Sequence, residues 1–165
     1  MSLTLLPGLP STNANVVHLH RGHPTPHREG IIAQCNVTQD GYWIANAQPG
    51  CGYANEITFW GRANCYIWIV QGAVYLIRLD QAYSWRYYDD YGIICKITPD
   101  ESNAILATYT DLICLDLVGY VVWRRSIAID GIEIQSIDDA KIHCNICYDP
   151  PDGWMSCVLN RNDGS

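Results

Sequence analysis

Clustered positive charge is what this sequence most lacks. Lys and Arg together number 10 against 17 Asp and Glu, for a net charge of −7 and a pI near 5.0. No run of basic residues occurs anywhere. A groove that tracks phosphates needs grouped cations to release counterions, so the chain is not expected to bind nucleic acid or an anionic membrane surface. Long apolar runs are missing as well. No stretch approaches the ~20 continuous apolar residues of a spanning helix. A basic segment followed by an apolar one is absent from the amino terminus, which predicts no signal peptide. Catalytic signatures are equally scarce. There is no G-x-S-x-G, no H-E-x-x-H and no Gly-rich loop of the phosphate-cradling kind. Beyond residue 28 the only histidine is His143, so a neutral-pH base has few partners, and the chain reads as non-catalytic with no cofactor implied.

What is present is a β-forming composition. Hydrophobic residues make up 48% of the 165 and charged ones 16%, enough apolar material for one sizeable core. The aromatics are 6 Trp and 11 Tyr against a single Phe. Rings with a polar end suit sheet faces and half-buried rims. Eight cysteines are scattered through apolar runs such as "GIICKI" and "LICLDL". They read as small buried hydrophobes with reduced thiols, which places the protein in the cytoplasm.

Residues 1–28 stand apart. They hold four Pro and four of the five His, and predict an extended or partly ordered tail. Its His18, His20, His23 and His27 are imidazoles of the kind that hold divalent metals, but a pliable tail interrupted by Pro24 and Pro26 is poorly pre-organised for a metal. Residues 29–165 form one domain of short strands and turns. Asp40-Gly41 between two β-favouring runs marks a hairpin over 29–47. The remaining runs are rich in Ile, Val, Tyr, Trp and Thr, and several alternate at period two. The chain is all-β.

The strands also repeat. An offset of 38 residues sets Trp85-Arg86 on Trp123-Arg124, Ile67 on Ile105 and Tyr75 on Ile113. An offset of 39 sets Tyr109 on Tyr148 and Gly92-Ile93 on Gly131-Ile132. About four short strands per 38–39 residues is the size of a propeller-type blade. The units cover roughly 55–90, 91–128 and 131 onward, the third lacking a fourth strand, for which the 29–47 hairpin is a candidate. Three units are too few to close a ring of ~4–8 blades, so open edges predict a homodimer.

Within "IHCNICYDPPDGW" (142–154), His143, Cys144 and Cys147 suggest half of a metal site. The repeat argues otherwise. It places "IHCNICY" on the strand that "AILATY" occupies one unit earlier, and in a strand positions i and i+3 face opposite sides. Cys144 then shares a face with Ile146, while Cys147 shares the other with His143 and Asn145. The following "YDPPDGW" replaces short turns, read as Gln71-Gly72 and Thr110-Asp111, by a longer one. That turn makes Tyr148, Asp149, Asp152 and Trp154 the candidate binding residues, with Trp154 folded back as a cover as the plainer alternative. The acid pairs Asp89-Asp90, Asp100-Glu101 and Asp138-Asp139 read as solvated turn residues.

Trp123-Arg124, Ile129-Asp130-Gly131, Asp149 to Trp154 and Asn160 to Gly164 together resemble the carboxy-terminal pattern of a family of uncharacterised bacterial all-β repeat proteins. The similarity covers roughly residues 65–164 and carries no agreed chemistry. It departs at Tyr148, where the family pattern often has Trp. Two functions follow as expectations. The first is a non-catalytic module that binds a protein partner, regulatory or immunity-like. The second is a carbohydrate or small-ligand module with aromatic platforms at Trp154, Trp85 and Tyr88.

Overall fold

The computed structural model describes residues 2–11, 15–20, 29–37, 41–78, 85–88, 94–99, 102–151 and 153–165, with the backbone alone over 85–88 and 94–99. Among these residues there is no helix, and the strands form four small sheets. The chain divides into two compact units, residues 1–90 and 91–165.

In the first unit, β1 (Ser2–Leu6), β2 (Val16–Leu19), β3 (Ile31–Asn36) and β4 (Tyr42–Ala47) form a sheet ordered β1-β3-β4-β2. The expected hairpin is its centre, β3 pairing antiparallel with β4. It does not complete the third repeat, because both of its outer edges are taken by strands from the amino-terminal stretch. Ser2–Leu6 runs antiparallel to β3 and Val16–Leu19 parallel to β4. Residues 1–28 display no strand period, since runs of four and five residues are too short to show one. Buried Asn46 stabilises this arrangement: its Oδ1 accepts from Gly30 N at 2.8 Å, and its Nδ2 lies 3.2 Å from His18 Nδ1. His18 is thus a strand residue held by Asn46. His23 and His27 lie outside the described residues.

The second sheet is the first full repeat: β5 (Asn55–Trp60), β6 (Cys65–Val70), β7 (Ala73–Arg78) and β8 (Trp85–Tyr88), an antiparallel meander in chain order. Its central turn is Gln71-Gly72, with φ of +47° and +82°. Two left-handed residues give a turn whose twist matches that of the flanking strands. Ala33, Cys35, Trp43, Ala45 and Ala47 of one sheet form a core with Trp68, Val70, Tyr75 and Ile77 of the other. The Tyr75 hydroxyl donates to the Gln48 carbonyl at 2.6 Å, which gives this buried ring its polar partner.

The second unit repeats the plan. β9 (Ile94–Pro99), β10 (Ala104–Thr108), β11 (Asp111–Leu115) and β12 (Val121–Ser126) form a meander, and β13 (Ile132–Ile137), β14 (Lys141–Asp149) and β15 (Gly153–Asn160) form a three-stranded sheet. Trp85 and Trp123 both fall on the fourth strand of their sheets, as the 38-residue offset requires. The sheets are blade-like, in units of about 38–39 residues. The β10–β11 turn is Tyr109-Thr110, one residue earlier than expected, because Asp111 is drawn into the ladder opposite Ser126. Thr108 Oγ1 accepts from the amides of Asp111 (2.7 Å) and Thr110 (3.1 Å), closing that turn. The buried Asp111 carboxylate accepts from Arg124 Nε at 3.1 Å, from Arg124 Nη2 and from the Ser126 hydroxyl. These bonds tie β11 to β12.

The cysteines have a recurrent place. Cys35 lies opposite Trp43, Cys65 opposite Trp60, Cys114 opposite Trp123 and Cys147 opposite Trp154. A small polarisable side chain across from the largest one keeps the local volume within what a ladder accommodates, and sulfur against an aromatic ring is favourable.

Candidate functional site

The 142–154 segment is the β14 strand, the turn after it and the start of β15. Ile142, Cys144 and Ile146 belong to a core with Ile105, Ala107, Leu112, Cys114 and Trp123. His143 and Asn145 alternate with them and are half-buried. Cys147 is buried too but is not part of that core. The faces therefore separate the two sulfurs as the repeat predicted. Among the described residues no three His, Cys, Asp or Glu side chains gather to hold a metal ion.

Cys147 is buried by Trp154. The two are cross-strand partners, and the indole reaches over β14 onto Gly131 at the start of β13. A Cβ on Gly131 would stand 2.8 Å from Trp154 Cη2 and 3.8 Å from the Cys147 Cβ. Gly131 also has φ +139°, a conformation that L side chains rarely adopt. Its amide donates to the Tyr109 carbonyl at 2.7 Å, and its carbonyl accepts from Cys147 N at 2.9 Å. The Ile129-Asp130-Gly131 motif is thus a backbone junction that leaves a flat seat for the indole. Trp154 covers the sheet and still exposes 44% of its surface.

Asp149 pairs with Gly153 across the turn, and a register shift between Cys147 and Asp149 places a bulge at Tyr148. A Cβ on Gly153 would meet the Asp149 backbone nitrogen at 2.8 Å, so only glycine fits there. Tyr148 is 60% exposed and Asp149 is exposed, while Asp152 lies outside the described residues. Met155, opposite buried Ile146, is 54% exposed and was not singled out by sequence. It could have been found by counting alternation back from Leu159 and Cys157. Met155 lies on the core side of the hairpin, whereas the bulge at Tyr148 interrupts the alternation there.

The neighbouring polar groups are occupied in turns. Asp138 Oδ1 accepts from the amides of Ala140 (2.9 Å) and Lys141 (2.7 Å), and Oδ2 lies 3.3 Å from His143 Nε2. The two amides, then His143, hold its carboxyl below the usual range. The one histidine beyond residue 28 therefore sits beside a turn-capping acid. The acid pairs at 89–90 and 100–101 lie outside the described residues, as do the side chains of Trp85 and Tyr88.

The fold and this hairpin define a class: an all-β protein of blade-like sheets with an aromatic-bearing hairpin. Comparison with protein-family models and with curated proteins finds no match. Among the described residues no helix is long and apolar enough to cross a membrane.

Proposed function

We propose that the protein is a non-catalytic β-repeat module that binds a protein partner through the β14–β15 hairpin. The observation that carries this reading is the set of large side chains at that turn. Trp154 is fixed on the Gly131 seat yet nearly half-exposed on one face of the hairpin, while Met155 on the other face and Tyr148 at the bulge are exposed at the same end. Tyr, Trp and Met are enriched in protein interfaces, and a ring already held in place loses little freedom on binding. Asp149 adds an acidic rim on an acidic protein, which favours a partner of opposite charge by steering. A second copy of the chain is the homodimer alternative, and the shared repeat plan with the resembled bacterial family belongs to the same proposal.

The test is co-purification followed by calorimetry with the purified components. A stoichiometric protein partner whose affinity falls at least tenfold with Tyr148→Ala and with Trp154→Ala supports the reading. A carbohydrate array that shows specific sugar binding lost in Trp154→Ala would overturn it in favour of a glycan module. Sedimentation that shows a dimer disrupted by the same substitutions would assign the hairpin to self-association.

A further inference from the structure

Among the described cysteines, Cys144 and Cys157 differ from the rest in facing each other. They are direct cross-strand partners on the core side of β14 and β15, whereas Cys35, Cys65, Cys114 and Cys147 each face a Trp. Arg161 N donates to the Ala140 carbonyl at 2.8 Å. Counting along the unbroken register from there, Ile142–Leu159 and Cys144–Cys157 fall on hydrogen-bonded positions. Such pairs have Cα atoms about 5.5 Å apart, inside the range that a disulfide spans. The Cys144 thiol already points across the ladder, its Sγ 3.6 Å from the Cys157 carbonyl oxygen.

We propose that Cys144 and Cys157 form a reversible dithiol–disulfide pair that staples β14 to β15 when the protein meets hydrogen peroxide. Cys157 reacts first, because it is only partly buried while Cys144 is enclosed. One peroxide oxygen passes to the Cys157 sulfur, the O–O bond breaks, and the first water leaves with the sulfenic acid in place. The Cys144 sulfur then attacks that sulfur, the S–S bond forms, and the sulfenic oxygen departs as the second water with the Cys144 proton. In sum two thiols lose two protons and two electrons, and one peroxide becomes two waters. Burial, and then the neighbouring Cys157, push the Cys144 thiol up to about 12, which disfavours it as the thiol that meets the peroxide first. Cys157 is only partly buried, so the bridge is within reach of a reductant, and exposed bridges are among the easily reduced, regulatory ones. The pair does not depend on the binding role of the hairpin, although it would stiffen the strands that carry Trp154.

The experiment treats the full chain with stoichiometric hydrogen peroxide, alkylates it under denaturing conditions and weighs it intact. Two fewer adducts than the reduced protein are expected, restored by dithiothreitol. Cleavage before Asp149 and Asp152 separates Cys157 from the other two thiols, so a linked peptide pair identifies the bridge. It is expected to persist in Cys147→Ala and to disappear in Cys157→Ala and in Cys144→Val, whose folding is checked by circular dichroism. A linkage through Cys147, a sulfinic Cys157 without a bridge, or an unchanged adduct number would each overturn the proposal.

Discussion

Replacing Gly131 by alanine tests the seat beneath Trp154. Two separable costs arise. A non-glycine residue at φ +139° is strained by about 1–3 kcal/mol. The new methyl would also stand 2.8 Å from Trp154 Cη2, and displacing the ring costs about 1–2 kcal/mol, as overpacking does. The expected total is about 3 kcal/mol, or roughly 1.5 M in urea midpoint at an m-value of about 2 kcal/mol/M. The assay is urea unfolding followed by far-UV circular dichroism. The same substitution is then made in a Trp154→Ala background, where only the backbone cost remains. A coupling of about 1 kcal/mol should separate the two backgrounds. A Gly131→Ala protein with the wild-type midpoint refutes the backbone argument. Equal costs in both backgrounds refute the contact between the indole and the junction.

Three other outcomes follow from the packing. Burial alone would raise the Asp111 carboxyl, but the Ser126 hydroxyl and the Arg124 guanidinium outweigh it and hold the folded value below the ordinary one. Its contribution is present above the unfolded value of about 4 and is lost as pH falls through the folded one, so urea midpoints from pH 6 to 2 should decline less in Asp111→Asn. That variant should lose about 2 kcal/mol at pH 7, since Arg124 is partly solvated. Cys35, buried and pushed up to about 12 by that burial, should resist maleimide at pH 8, whereas exposed Cys51 should react promptly. Cys147 should join Cys51 when Trp154→Ala removes its cover, as peptide mapping would show. Cys114→Leu, placed opposite Trp123, should cost about 1–3 kcal/mol in thermal or urea unfolding through overpacking.

The repeat was legible because it is local. Each sheet from Asn55 onward follows chain order, so spacing alone brings Trp85-Arg86 and Trp123-Arg124 to equivalent strands. The first sheet breaks that rule. β2 joins it parallel to β4 and beyond it in order, a pairing between distant segments that no short window reveals. The site was legible in part for a similar reason. Alternation separates Cys144 from Cys147, but the indole on Gly131 depends on a missing side chain one strand further away. The sequence signal was Gly131 itself, read as a repeat landmark rather than as a seat.

The facing of cysteine and tryptophan across four ladders has a practical side. A chain with eight thiols invites a cysteine-light version for site-specific probes, and serine is the usual substitute. Here Cys35, Cys65 and Cys114 are almost wholly enclosed beside an indole, where a hydroxyl would need a partner that a sulfur does not. Alanine or valine respects the space, and Cys51, exposed in its turn, is the natural attachment point for a dye.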